Sequence, residues 1–250
     1  MPTITFVGTG GGRFVTMTQK RLTGGLIFEE DKTIISIDPG PSAAIGYRIF
    51  GIPIWRVSGV IVTHGHPDHY SEADVVIEGM TRGGTKKNGF LAISEYMHRL
   101  GYGVSPYHRK VVSEYIVMKE GMSFTHRGIN FKIFKTKHTE PTTVGLKINV
   151  KNHKIVYVAD TAFFDGLKEI INDSDLVILP VTLPRRVSLP HHLNTEDTAK
   201  LLTSVDINLC IITHFGLKMI ESDPTKEAEW LRKTTGQDVI AAFDGMRIEL

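Results

Sequence analysis

Apolar positions near the start of this chain alternate or run in short blocks at 4–7, 25–28 and 33–37, with glycine-rich or charged turns between them. A period of two over so few residues predicts strands, and their close succession predicts that they pair early. Asp-Pro-Gly-Pro-Ser at 38–42 is a turn signal; a short helix can follow at 43–50, and the apolar run 57–62 is the next strand. Ser71, followed by acidic Glu72 and Asp74, is expected to cap a helix reaching about residue 79. Residues 90–93 read as a strand, 94–100 as a capped helix, and 101–110, which mixes glycine, proline and basic residues, as a loop.

Strand patterns return at 111–118, 129–136, 144–150 and 154–158, with turns at His-Arg-Gly-Ile-Asn and Lys-Asn-His-Lys. A helix is expected at 164–171, a buried strand at 176–179, a helix capped by Asn194 and reaching about residue 203, and a strand at 209–213. Pro224 suits the first turn of a helix that Gly236 stops, and 239–243 and 246–248 close the chain as strands. With no internal repeat, low-complexity stretch or long linker, the expectation is one domain over 1–250, of α/β class, with packed sheets covered by helices.

Composition adds mainly exclusions. The chain has 250 residues, 41% of them hydrophobic and 22% charged, which is ordinary for a globular protein with a sizeable core. A formal charge of +2 is too small to be an electrostatic footprint for nucleic acid. The single cysteine, Cys210 in an apolar setting, leaves no internal disulfide or Cys-x-x-Cys metal site and reads as an inert buried thiol. No apolar run of about 18 residues and no basic-then-apolar leader occurs, so no membrane association is expected and the cytoplasm is the default location.

Chemistry enters at Thr-His-Gly-His-Pro-Asp-His. His64, His66, Asp68 and His69 leave the end of the 57–62 strand within six positions, and imidazole with carboxylate suits zinc, iron or manganese. The i, i+2 spacing can aim His64 and His66 at one ion, while Asp68 and His69 lie around the turn and can serve a second. Two ions need more ligands. Histidine or aspartate at the ends of other apolar strands supplies His138 after Phe-Lys-Ile-Phe-Lys-Thr-Lys, Asp160 after Ile-Val-Tyr-Val-Ala, and His214 after Cys-Ile-Ile-Thr.

This pattern, with the early Phe-Val-Gly-Thr-Gly-Gly-Gly-Arg and Ile-Ser-Ile-Asp-Pro-Gly and the late Ile-Thr-His-Phe-Gly, resembles the dinuclear branch of the metallo-β-lactamase superfamily. The resemblance implies an αββα sandwich in which His64, His66 and His138 hold one metal, Asp68, His69 and His214 the other, and Asp160 bridges them. True β-lactamases of the superfamily usually lack a histidine at the position of His69, which argues against antibiotic hydrolysis. Homodimers are common in the family, so a homodimer is expected.

Two divalent cations sharing a carboxylate can acidify a bridging water to hydroxide near neutral pH and draw charge from a phosphate or acyl oxygen. Zinc is the first expectation, and manganese and iron also fit the ligands. Asp68 sits in the expected catalytic set, and His192 of Pro-His-His-Leu-Asn is the expected proton donor, in a segment resembling a helix-start motif of the transfer-RNA 3′-processing nucleases. His191, Arg185 and Arg186 are candidates for substrate binding, the arginines through a guanidinium fork. Those nucleases carry a long arm between the positions of His138 and Asp160; here only a hairpin-length stretch intervenes, which favours a small or cyclic phosphodiester as substrate. Cleavage of RNA or DNA, hydrolysis of a thioester or lactone, and metal-dependent binding without catalysis are the competing readings.

Overall fold

The computed structural model describes all residues 1–250, in two compact units: Met1–Lys119 with Phe243–Leu250, and Glu120–Ala242. The first unit contains β1 (Thr3–Phe6), α1 (Arg13–Thr18), β2 (Leu26–Glu30), β3 (Thr33–Ile37), α2 (Ala43–Ile49), β4 (Val57–Val62), α3 (Pro67–Tyr70), α4 (Ala73–Thr81), β5 (Phe90–Ser94), α5 (Glu95–Leu100), α6 (Pro106–Val111) and β6 (Glu114–Met118). With the closing strand Arg247–Glu249 beside β1, the strands make one seven-stranded sheet in the order closing strand, β1, β2, β3, β4, β5, β6. Pairing is antiparallel up to β3 and parallel from β3 to β6.

Sequence explains that switch. Strands β2 and β3 are separated by only Asp31 and Lys32, Asp31 taking φ 51° as a tight hairpin requires. From β3 onward helices fill the connections, as parallel neighbours demand. Strand β4 is buried at all six positions, which is why its sequence runs apolar instead of alternating. Val60, Val62, Leu91 and Ile93 pack with Val76, Ile77 and Met80 of α4 in the core of this unit.

The second unit holds β7 (Ser123–His126), β8 (Ile129–Lys135), β9 (Val144–Val150), β10 (His153–Tyr157), α7 (Leu167–Ile171), β11 (Ser174–Leu183), β12 (Leu193–Asn194), α8 (Thr195–Leu202), β13 (Ile207–Thr213), α9 (Leu217–Ser222), α10 (Pro224–Thr235) and β14 (Val239–Ala241). Its eight-stranded sheet runs β14, β13, β11, β10, β9, β8, β7, with β12 pairing to β11. It too is mixed: a β7–β10 meander, then parallel pairing from β10 through β14. Val177, Leu179, Cys210 and Ile212 pack with Leu201, Leu202, Leu231 and Met219 in its core. Burial pushes the Cys210 thiol well up from its ordinary value, so it behaves as the inert side chain expected.

The expected caps at Ser94, Asn194 and Gly236 are present: Ser94 accepts from Met97 N, Asn194 Oδ1 accepts from Asp197 N at 2.8 Å, and Gly236 ends α10 at φ 74°. Several expectations are corrected. The helix after Ser71 is capped at Glu72, because Ser71 still belongs to the end of α3 and bonds Pro67 O. Residues 106–110 of the expected loop, with Val111 of the expected strand, form α6, with Ser105 as N-cap accepting from His108 N and Pro106 in the first turn. Strand β11 runs ten residues, through Pro180.

One long-range clamp matters for the site. Asp244 accepts from Thr9 N at 2.9 Å, Thr9 Oγ1 at 2.6 Å and Leu22 N at 2.8 Å, fixing the glycine loop before α1. No helix is long and apolar enough to cross a membrane.

Candidate metal centre

In the first unit the segment of candidate ligands follows β4. His64 and His69 are buried, and His66 and Asp68 are half-buried. Asp38, at the end of β3 with φ 52°, accepts from Thr63 N and Thr63 Oγ1, both at 2.7 Å, and from His69 Nδ1 at 3.0 Å. A carboxylate acceptor fixes the proton of His69 on Nδ1 and leaves the Nε2 lone pair available. The same logic reaches His64. Thr63 has one hydroxyl proton, given to Asp38, so across the 3.2 Å contact it accepts from His64 Nδ1 and leaves Nε2 of His64 bare.

That bare Nε2 lies 3.2 Å from His66 Nδ1. Two nitrogens each bound about 2.0–2.1 Å from one tetrahedral ion would stand roughly 3.3 Å apart, so the pair has the spacing of two ligands of one metal. Asp68 Oδ2 accepts from Gly12 N at 2.8 Å and lies 3.8 Å from His69 Nε2. Gly65 has no room for a side chain, since a Cβ there would stand 2.1 Å from the Tyr102 hydroxyl. In extended backbone residue 65 points away from the side shared by 64 and 66, so Tyr102 supports the ligand turn from behind. Arg109 holds that tyrosine, donating through Nη2 to Tyr102 O and through Nε to Val104 O, both at 2.9 Å.

In the second unit the expected residues meet although they are far apart in sequence. Asp160 is 1% exposed and faces a different histidine with each oxygen: Oδ1 is 3.2 Å from His214 Nε2, and Oδ2 is 3.7 Å from His138 Nε2. His138 Nδ1 meets the backbone oxygen of His191 at 3.0 Å. A carbonyl can only accept, so His138 carries its proton on Nδ1 and turns Nε2 to Asp160. His192, whose side chain is 16% exposed, places Nδ1 3.9 Å from Asp160 Oδ2 and 3.3 Å from Thr182 Oγ1. Thr182 Oγ1 is also 3.2 Å from His214 Nδ1.

Three backbone positions here are left-handed without being glycine: Ala159 at φ 57°, His191 at φ 68° and His214 at φ 59°. Each costs about 1–2 kcal/mol relative to ordinary strand geometry.

The substrate candidates fare differently. Arg185 donates through Nε to Glu227 Oε1 at 3.1 Å, has Nη2 3.1 Å from the same oxygen, and lies 5.0 Å over the Trp230 ring. The guanidinium expected to meet a phosphate is thus engaged by a buried carboxylate of α10. Arg186 is exposed, with its backbone N bonded to Glu196. His191 contributes through its main chain, and its Nδ1 is buried without a hydrogen-bond partner. Asp38, Thr63 and Thr182 were not singled out from sequence. For the first two the signal was present, since Asp38 ends Ile-Ser-Ile-Asp-Pro-Gly and Thr63 opens Thr-His-Gly-His.

The donor set fits a divalent cation: His69, His138 and His214 have Nδ1 beside a protein oxygen and Nε2 directed at a carboxylate, the arrangement of metal ligands with outer-sphere partners. Comparison with known proteins agrees. The chain belongs to the β-lactamase superfamily, whose domain model matches residues 33–215. It is a metallo-hydrolase of that superfamily, and its two mixed sheets flanked by helices are the metallo-β-lactamase fold expected from the sequence.

A relative of Methanocaldococcus jannaschii, the uncharacterized protein MJ1374, is 33% identical over 99% of this chain and 94% of its own length. The crystal structure of the metallo-β-lactamase fold protein YhfI of Bacillus subtilis has a TM-score of 0.81 at 19% identity, covering 100% of this chain and 99% of that one. That of a diphosphatase of the PhnP family has a TM-score of 0.73 at 18% identity, covering 100% and 98%.

Proposed function

We propose that this metallo-hydrolase is a dinuclear phosphodiesterase acting on a small or cyclic phosphodiester, with residues 1–250 serving as one catalytic domain. In this reading His64, His66 and His138 hold one cation, Asp68, His69 and His214 hold the second, and Asp160 is shared. Zinc is the metal proposed first, with manganese and iron compatible. The observation that carries the reading is Asp160, whose two oxygens are turned to two different histidines, His214 and His138, as a carboxylate shared between two ions must be. When bound, the cations supply Lewis acidity and an activated water near neutral pH.

The chain's own residues do the rest. Asp38, Thr63 and the His191 carbonyl hold ligand imidazoles in one tautomer, so no reorganisation is needed when charge develops. His192, partly exposed beside Asp160, lies where it can donate a hydrogen bond to the leaving oxygen. Arg186, exposed on the turn before His191, is the guanidinium left for a phosphate. The hairpin from β9 to β10, with no arm inserted, favours a compact substrate over transfer RNA. Likeness to a diphosphatase supports phosphate chemistry without fixing the substrate. A homodimer belongs to the same proposal.

The test is removal of metal and its return, with turnover measured on a panel of bis-aryl, cyclic and nucleic-acid phosphodiesters beside thioesters and lactones. Phosphodiester turnover should vanish without metal and return with two equivalents. His192→Ala should keep both metals and lower kcat by about 10²–10⁴-fold. Turnover confined to thioesters or lactones, or a full complement at one equivalent, would overturn the reading.

A further inference from the structure

Thr182 stands at the end of β11, 5% exposed, with one hydroxyl between two imidazoles: Oγ1 is 3.2 Å from His214 Nδ1 and 3.3 Å from His192 Nδ1. A hydroxyl has a single proton to give and two lone pairs to receive. One of the two histidines therefore receives that proton, and the other can donate its own to the oxygen. The rings are stacked, with centroids 6.2 Å apart and planes 16° from parallel, so both Nδ1 atoms approach the same oxygen from neighbouring positions.

The two ways of placing the proton are not equivalent. If Thr182 donates to His214, that histidine carries its proton on Nε2, the atom 3.2 Å from Asp160 Oδ1, and cannot be a metal ligand there. If His214 donates to Thr182, its Nε2 lone pair is available and the hydroxyl proton passes to His192 Nδ1. His192 then carries its own proton on Nε2.

Resting on His214 being a ligand, we infer that Thr182 is a positioning residue that sets two tautomers at once: Nδ1–H on His214, and Nε2–H on the neutral form of His192. One threonine thus makes one histidine a ligand and turns its neighbour into a hydrogen-bond donor toward the substrate. His138 and His69 are held by the His191 carbonyl and Asp38, whereas the Thr182 hydroxyl joins two imidazoles.

The position also explains why the hydroxyl stays in place. Gly216 N donates to Thr182 O at 3.0 Å, and a Cβ at Gly216 would come within 2.7 Å of that oxygen and 3.1 Å of Thr182 Cγ2, so the segment after His214 packs directly on this threonine.

Thr182→Val keeps the shape and removes the hydroxyl; Thr182→Ser keeps the hydroxyl. Long-range nitrogen–proton NMR on the zinc-loaded protein should show wild type and T182S with Nδ1–H on His214 and Nε2–H on His192, and T182V with His192 as a mixture. Zinc affinity, measured by chelator competition, should fall roughly 10- to 100-fold in T182V, as on loss of an outer partner of a metal-bound histidine. For any substrate turned over, kcat should drop and KM should hold, with T182S restoring most of the rate.

Wild-type tautomers in T182V, or equal loss in T182V and T182S with unchanged melting temperatures, would overturn the inference. A wild-type protein that binds zinc and shows these tautomers yet hydrolyses no phosphodiester would overturn the proposed activity and leave the role of Thr182 standing.

Discussion

The segment 64–69 and the group formed by His138, Asp160, His192 and His214 reach similar chemistry by opposite routes. The first packs four candidate ligands into six positions after one buried strand and takes its order from Asp38, just past the adjacent strand β3. The second draws each residue from the end of a different strand or turn and relies on sheet register to bring them within 3.2–3.9 Å of Asp160. In the first, one acceptor serves two donor residues. In the second, the acceptors are dispersed: the His191 carbonyl meets His138, and the Thr182 hydroxyl stands between His192 and His214. A local segment can be read from spacing, whereas a dispersed one depends on the whole sheet being correct.

The strongest test of that contrast is Asp160→Ala. If the dispersed group supplies the shared ligand, this single change should release both metals and abolish turnover, a larger loss than the 10–100-fold in affinity typical of an outer partner. Metal analysis after gel filtration gives the count, and retention of one full equivalent would show that the contiguous segment suffices alone.

Asp38→Asn comes next. It removes an acceptor for Thr63 and His69 together, and should weaken metal binding about 10–100-fold by chelator competition. An unchanged affinity would mean that the segment holds its geometry without β3.

The smallest effect is expected at His191, where the main chain matters and the side chain does not. Glycine tolerates φ 68° and keeps the carbonyl on His138, whereas a β-branched residue does not. His191→Gly should hold metal affinity within about threefold and His191→Val should lose several-fold more. Equal loss in both would assign the role to the imidazole.

The sequence made the seven ligand candidates legible for a physical reason: four follow one apolar run and His138, Asp160 and His214 each follow another, and strand ends carry function when the strand itself is buried. Caps were legible at Asn194 and Gly236 because their signals are local. The short helices α1, α6 and α9 were hidden, since six residues give barely more than one turn of periodicity, and in α6 glycine and proline nearby masked the Ser105-Pro106 start. Strand β7 was hidden because its burial alternates between half-buried and exposed, leaving little apolar signal. The expected strand ended at Leu179, yet β11 continues through Pro180, which is in register with Thr213. Thr182 was beyond reach, because nothing in Pro-Val-Thr-Leu-Pro shows that two distant histidines will share its oxygen. The pairing of Arg185 was hidden for the same reason: its partner, Glu227, lies 42 positions away.

The Asp244 clamp sets a clock on the protein's birth. Its partners Thr9 and Leu22 are 235 and 222 positions earlier, so at about 5–20 residues per second the ribosome makes the clamp roughly ten to fifty seconds after the loop it secures. Through that interval the glycine loop whose Gly12 N–H meets Asp68 lacks the Asp244 bonds, although its bonds to Leu22 and Arg21 can already form. A nascent chain stalled before Asp244 would therefore carry the loop that meets Asp68 without these three bonds.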